Sequence, residues 1–495
     1  VGINMRENKI FTIFIVLISL FLISFYIQEG FCLKIEREEA IAIADLWYAM
    51  EVNSPHVKIH KSDKKERLKR IQNRKVLYLI SKDDLRETIS PREDILAYVV
   101  KYDPSGFVVV SADDRIEPVI VFDALSEFRW DEPEHNFLRY FLGKEIPKRM
   151  ECINEKEVKG EKVEVHPKWK KLRLKLKKVK TLEEASYQNA DGEPSLDGGG
   201  TYVFWETPLW GQKSYYNDTV QKYNGGYDCP TGCVATSMAI KMRFHEWPPS
   251  GSGSHEYDDT SGSIQYHHYV NYASSTYNWT NMPISDLKAP NNDVADLMYH
   301  CGVSVDMDYE LDGSGAYLSD VASVLNDYFR YRRSTVKFSS HENPAKESIL
   351  GGLPVNMGGH GHAVVATGYR DEVSPYFYIN TGWSGYCNGW YNLSDFPNNP
   401  NNCSTDAIEL SIPYSTPGNY FYVDGHERRQ PDGSILEPYE YISQGVSAVP
   451  SGGTLWIKGG NYTKRANTYG NYDVPITINK IMTIRSYEGV ATIGP

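Results

Sequence analysis

The stretch DCPTGCVATSMAIKM, residues 228–242, decides the fold. Val234, Met238 and Met242 recur at i, i+4 and i+8, which predicts a helix with one buried face. Thr231 stands where a hydroxyl can cap the start and Pro248-Pro249 stops the element, so the helix is expected to run from Cys233 to Trp247. Cys233 then falls in the first turn, where unpaired N–H groups carry partial positive charge that favours thiolate over thiol. That is a suitable position for a nucleophile. It equally suits a buried structural thiol, or a cysteine bridged to Cys229 four residues earlier.

A reactive thiol needs a histidine base, an oxyanion donor and a group that orients the imidazole. In GGHGHAVVATGY, residues 358–369, His362 follows a glycine and opens an apolar run that must be a buried strand, exposing the ring at the strand's start. The interval from Cys233 is 129 positions (362 − 233), at the lower edge of the about 130–150 that separates nucleophile and base in papain-like enzymes. His360, two residues earlier, is the rival base. A metal site on the two histidines lacks a Cys, His or Glu pair nearby at a suitable spacing.

Four stretches together resemble the streptopain family of secreted papain-like cysteine peptidases. GCVATSMAIKMRFHEWP is similar to that family's nucleophile helix, GHAVVATGY to its histidine strand, and WGQKSYYN (210–217) to the loop that supplies an oxyanion-hole glutamine. LMYHCGVSVDMDYELDGSGAYLSDVASVLNDYF (297–329) resembles its long helix, substrate-side loop and following helix. The resemblance spans about residues 208–413. It implies Cys233 as nucleophile and His362 as base, with Gln212 joining the Cys233 N–H at the oxyanion. Asn380 would orient the imidazole, and Trp383 would shield the site. No cofactor and no metal is implied. Thr381 stands where relatives often carry a tryptophan, a departure that bears on packing and removes no reacting group. The family's preference for a bulky apolar residue before the scissile one makes Val303, Val305 and Met307 pocket-lining candidates, although their period of two is also that of a buried strand.

Upstream, residues 33–190 are expected to form an α+β prodomain, with a helix at Glu36–Met50 and strands at Ile95–Lys101 and Phe107–Ser111. AYVVKYDPSGFVVVSADDRIEPVIVFDALSEF (97–128) resembles streptopain-type propeptides, which implies an intramolecular inhibitor. In KLRLKLKKVK, Lys or Arg alternates with Leu across Lys168–Lys180, predicting an edge strand with one charged face. The polar run Tyr187–Gly200 reads as a protease-accessible boundary before a peptidase domain at 191–413.

Residues 418–495 carry short strands at Tyr420–Asp424, Thr454–Lys458, Ile476–Ile478 and Ile481–Ile484, an all-β segment. FYVDG and GGTLWIKGGNY in it resemble the opening coils of a right-handed parallel β-helix of the pectate-lyase type. That resemblance implies contact with a glycan or a cell surface, and it keeps two other functions in view: an inactive peptidase-like binding protein, or a carbohydrate lyase with an accessory peptidase fold.

At the other end, Arg6 and Lys9 precede the apolar run Ile10–Ile27, so residues 1–32 read as an export signal. The run is also near the lower length of a membrane span, and only if it is retained would a membrane be a partner. Seven cysteines are an odd number for an exported chain, so at least one thiol stays free. A net charge of -12 leaves no global basic surface for counterion release, which excludes nucleic acid as the expected partner and leaves protein and peptide substrates. Sequons at Asn217, Asn278, Asn392, Asn402 and Asn461 could accept glycans in a host that attaches them. The fold class expected is α+β: a papain-like peptidase domain behind a prodomain and ahead of the short β segment.

Overall fold

The computed structural model describes residues 34–54, 56–81, 83–90, 94–130, 137–179, 181–185, 202–223, 229–261, 264–337, 342–359, 361–371, 375–393, 407–413, 420–423, 438–463 and 477–494. The export-signal segment, the Tyr187–Gly200 boundary and His360 lie outside these residues. Among the described residues, no helix is long and apolar enough to cross a membrane. The chain divides into two compact units, and the first joins residues up to Gly200 with 371–376 and 386–394.

In the first unit the elements run α1 (Arg37–Asn53), α2 (Lys61–Arg70), β1 (Lys75–Ser81), β2 (Asp84–Arg86), β3 (Ala97–Lys101), β4 (Phe107–Ser111), β5 (Val119–Asp123), α3 (Phe137–Val158) and α4 (Pro167–Lys178). The strands form an antiparallel sheet in the order β2-β1-β3-β4-β5, which the later strand Gly389–Asn392 extends by pairing with β5. Every residue of β4 and β5 is buried, as their unbroken apolar runs require. α1 buries Ala40, Ile43, Ala44 and Trp47, a helical stripe, and sets Trp47 edge-on to Phe122 at 5.2 Å.

Residues 168–178 of the basic run are helix where an edge strand was expected. Pro167 occupies the first turn, the His166 ring accepts from the Lys168 N–H, and unbranched Lys, Arg and Leu are good helix formers. Lys168, Trp169, Leu172 and Lys175 are the buried positions, the last three spaced three apart, whereas Leu174 is 57% exposed. The Leu alternation therefore marked no sheet face.

The second unit runs β6 (Tyr202–Phe204), α5 (Asp218–Tyr223), α6 (Cys233–His245), β7 (His255–Ser261), β8 (Ile264–Val270), α7 (Asn292–Ser304), α8 (Leu318–Asp327), β9 (Tyr331–Lys337), α9 (Glu342–Leu350), β10 (Val355–Gly359), β11 (His362–Arg370), β12 (Tyr376–Asn380) and, after β13 (Gly389–Asn392) of the first unit, β14 (Ala407–Pro413). Its sheet has the order β12-β11-β10-β14-β9, with β6 also paired to β11, and β7-β8 is a separate hairpin. A buried helix carrying Cys233 thus lies with an antiparallel sheet carrying His362, the α+β arrangement expected of a papain-like domain. Ala235, Met238, Ala239 and Met242 of α6 enter the core with Leu297, Met298 and Cys301 of α7 and Val365 of β11. Behind them, Lys241 Nζ of α6 bonds the Glu409 carboxylate of β14 at 2.7 Å, with side chains only 1% and 0% exposed.

Two local expectations fail in this unit. Thr231 does not cap α6: the N-cap is Gly232, and the Thr231 hydroxyl instead pairs with that of Thr236 at 2.8 Å. Val303, Val305 and Met307 do not form a strand either. Val303 lies in the last turn of helix α7, which ends at Ser304, and Val305 is its C-cap, while all three are buried. A three-residue alternation at a helix end mimics the period of two.

β15 (Tyr420–Val423), α10 (Ile442–Ala448), β16 (Thr454–Thr463) and β17 (Thr483–Gly494) close the chain, with the three strands parallel and in register from Tyr420 through Thr454 to Thr483. Val423, Leu455, Ile457 and Tyr462 make a small core with Ile442 and Val446 of α10, a helix that the all-β expectation missed. Residues 477 and 478 are not strand, contrary to the expectation for Ile476–Ile478. Asn217 and Asn392 are fully buried, which removes two of the five sequons as glycan acceptors in the folded chain.

Candidate active site

Four segments of the second unit converge on the start of α6. The loop before Cys233 is fixed from several sides: Asn217 Nδ2 donates to the Cys229 carbonyl at 2.9 Å, Ser314 Oγ to that of Pro230 at 2.6 Å, and the Thr231 N–H to that of Gln212 at 2.9 Å. Gly232 has φ +83°, and a Cβ there would lie 2.6 Å from Met307 Sδ. Only glycine satisfies both the backbone and the contact. Met307 is itself held through its carbonyl by the Tyr257 hydroxyl at 2.6 Å.

These facts set up a paired prediction. Gly232→Ala should lose more stability in chemical denaturation than Gly361→Ala, because Gly361 has a similar φ of +77° but open space around its would-be Cβ. Equal losses would mean that the Met307 contact does not constrain the loop.

Cys233 is half-buried, and neither it nor Cys152, Cys229, Cys301 or Cys387 is in a disulfide, so the Cys229–Cys233 bridge is not formed. Burial pushes the Cys233 pKa up, opposed by N–H donors from Ala363, Cys233 and Val234. The Ala363 donor belongs to the residue after His362, and this brings the first residues of β11 onto the sulfur. Pairing of Gly359 with His362 closes a tight hairpin between β10 and β11 and sets the histidine at its tip. Burial drives the His362 imidazole down to about 4, against a hydrogen bond to the backbone of Thr381 that favours its charged form. In this state both groups are neutral at pH 7. A histidine depressed in the fold contributes stability in full above pH 6.5, and that contribution is lost as the pH falls toward 4.

Gln212 is 1% exposed, and neither atom of its side-chain amide has a hydrogen-bond partner. A surface-loop glutamine would be solvated, so this residue is not one. A buried amide with unused donors is poised to serve a group that arrives later. Its loop is anchored by Trp210 Nε1 on the Pro283 carbonyl at 2.8 Å and by the Ser384 N–H on the Trp210 carbonyl at 3.0 Å.

Asn380 does not reach the histidine as expected. Its Nδ2 donates to Thr207 Oγ1 at 3.0 Å and to the Pro208 carbonyl at 2.8 Å, and its Oδ1 accepts the Gly382 N–H at 3.1 Å. Both Nδ2 protons and one Oδ1 lone pair go to building the turn in which the backbone of Thr381 meets the ring. Gly382 follows with φ +66°, its would-be Cβ 3.1 Å from Thr236 Cγ2 of α6. Trp383, half-buried, lies in the same loop. Thr381 and Ala363 were invisible to sequence reasoning because they act through backbone atoms. Met307 had a usable signal in Gly232, since a glycine at a helix start announces a close neighbour.

Chemically, the arrangement offers a thiol at a helix N-terminus, an imidazole at the start of β11 and, in the loop whose Gln212 carbonyl accepts the Thr231 N–H, a buried amide with unused donors. Residues 210–391 match the peptidase C10 family, and residues 34–145 match the Spi protease inhibitor family. Among curated proteins, the chain is 28% identical over 337 residues to the thiol protease/hemagglutinin PrtT of Porphyromonas gingivalis, covering 64% of this chain and 36% of that protein. It is 30% identical over 189 residues to streptopain of Streptococcus pyogenes, covering 34% of this chain and 46% of that protein. The chain therefore spans between a third and a half of the length of these relatives. A solved fragment of prointerpain A from Prevotella intermedia aligns at 25% identity with a TM-score of 0.49, covering 65% of this chain and 96% of that one. The peptidase C10 match thus follows a segment that is similar to a protease inhibitor.

Proposed function

We propose that the chain is the zymogen of an exported cysteine endopeptidase, with Cys233 as nucleophile and His362 as general base and acid. The observation that carries this is the Ala363 N–H on the Cys233 sulfur, which sets the histidine's own strand against the nucleophile. In the working state the His362 ring holds the thiol proton, and the thiolate attacks the carbonyl carbon of a peptide bond. The Cys233 N–H and Gln212 Nε2 receive the developing oxyanion. Collapse breaks the C–N bond as His362 gives its proton to the leaving amine, leaving a thioester on Cys233. Water then adds to the thioester with His362 taking its proton, and the acid product leaves as the thiol is restored. Asn380 holds the turn that presents Thr381 to the ring, and Trp383 limits water. No metal or organic cofactor enters these steps.

Residues 33–190 serve as the inhibitory prosegment, 191–413 as the peptidase, and a cut within Tyr187–Gly200 separates them. The charged-then-apolar segment Arg6–Ile27 supports export. Substrates are proteins and peptides.

Gln212→Ala should lower kcat on a peptide amide about 10²–10³-fold with KM little changed, as removal of an oxyanion donor does. A loss confined to KM would assign Gln212 to ground-state binding and remove it from the mechanism.

A further inference from the structure

The Gln212 amide makes no hydrogen bond of its own, so its place is set by the backbone of residues 209–212. That backbone is held from two directions. On one side the Leu209 N–H donates to the Ile284 carbonyl at 2.8 Å, next to the Trp210 indole bond to Pro283. On the other the Ser384 N–H holds the Trp210 carbonyl, and a Cβ added to Gly211 would lie 2.5 Å from Ser384 Oγ. Glycine at 211 is what lets that hydroxyl come so close to the backbone leading into Gln212. Ser384 itself has φ +50°, in the left-handed region that a side chain disfavours, so its surroundings must hold it there. The holding group is Asp286. Its carboxylate accepts the Tyr216 hydroxyl at 2.7 Å and the exposed Lys288 ammonium at 2.6 Å, and the Ser384 hydroxyl bonds to it as well. Tyr216 is buried, accepts the Leu287 N–H at 2.8 Å, and follows Gln212 in the same loop. Burial raises the Asp286 pKa, but the bonds from Lys288, Tyr216 and Ser384 together outweigh it and hold the group below the ordinary carboxylate range, ionised at neutral pH.

We propose that Asp286 is a positioning residue for the oxyanion amide: through the hydroxyls of Ser384 and Tyr216 it fixes the loop that aims Gln212 at the carbonyl oxygen of the substrate. The inference rests on the cysteine-peptidase reading of the site and deepens it, giving a role to three side chains that touch neither substrate nor the reacting atoms. One carboxylate grips the loop on both sides of the glutamine, through Ser384 at Gly211 and through Tyr216 beyond it. Such a grip matters because an oxyanion donor helps only if it already stands where charge develops, and a displacement of about 1 Å can cost about 10²-fold in rate. Ser384 also lies in the same turn as Thr381, so the group that places the amide ties it to the backbone that meets His362.

The test compares Asp286→Asn, Gln212→Ala and the two combined in the processed chain, by steady-state kinetics on a peptide amide. Asp286→Asn, which keeps the shape and removes the charge, should lower kcat by about 10-fold to 10²-fold with KM within about twofold of the parent. Ser384→Ala, which deletes one oxygen atom and leaves the backbone bond to Trp210, should shift kcat in the same direction. In the Gln212→Ala background the Asp286 change should cost less than about twofold, because the group it positions is gone. Hydrogen–deuterium exchange in the full Cys233→Ala chain gives a readout without hydrolysis: Asp286→Asn should speed exchange in the peptide 209–217 by about tenfold or more. A kcat loss that persists undiminished when residue 212 is alanine, or parental exchange at 209–217, would overturn the proposal and leave the cysteine-peptidase reading standing. Parental kcat in Gln212→Ala would overturn the oxyanion role together with this proposal.

Discussion

Cys233→Ala in the processed chain should lower turnover of a casein or peptide-amide substrate by about 10⁴-fold or more, and His362→Ala should do nearly the same. Alanine at 233 leaves no atom able to form the thioester, and the backbone N–H donors that now reach the sulfur would hold only water. Alanine at 362 leaves the thiol without a proton acceptor, in surroundings that push its pKa up. In the proposed mechanism the two groups act on one proton, so the double variant should be no slower than the worse single one, as for residues that work as a unit. Additive losses in the double variant would mean that sulfur and imidazole serve separate steps. Measured kcat/KM for the three variants decides the matter.

The second large effect concerns stability and lies away from the reacting atoms. Lys241→Ala should cost about 3–5 kcal/mol, because it leaves the Glu409 carboxylate buried against helix α6 without its cation. Burial already drives the Lys241 pKa down and the Glu409 contact opposes that shift, so the pair is held against a substantial desolvation cost. The melting temperature should fall by about 10 °C. Lys241→Met with Glu409→Leu removes both charges and keeps the volume, and it should recover most of the loss. A single variant within about 0.5 kcal/mol of the parent would show that the ionised pair is not what anchors α6 to β14.

The parts of the fold that were legible from sequence are those where side-chain chemistry and backbone period agree. Helix α6 begins at Cys233 because the Val234, Met238 and Met242 stripe and the Pro248-Pro249 stop point to the same element. Strands β3 and β4 read correctly because apolar runs bounded by turn residues have few other solutions. The basic run failed for the opposite reason: three leucines at period two outweighed Pro167 and the helix preference of the residues between them. At the site, the residue types were readable but the atoms were not. Gln212 was assigned from its loop, and its burial with unused donors is consistent with that assignment. Asn380 was assigned as the histidine's direct partner, yet its amide serves Thr207 and Pro208 while the Thr381 backbone meets the ring. Backbone donors and acceptors carry no residue-type signature, so no sequence pattern could have named Thr381 or Ala363.

The central claim is that Cys233 and His362 share one proton, and labelling of Cys233 against pH tests it most directly. Iodoacetamide incorporation at the Cys233 peptide, followed by mass spectrometry from pH 4 to 10, should be slow at neutral pH in the full chain, where burial keeps the thiol protonated and the imidazole neutral. In the processed chain, labelling should be fast at neutral pH and fall away only on the acid side, and His362→Ala should abolish that acidic limb and return an ordinary thiol profile with a midpoint near about 8.5. A processed chain in which Cys233 already follows the ordinary profile, or in which another cysteine labels first while peptide hydrolysis is lost, would contradict the account.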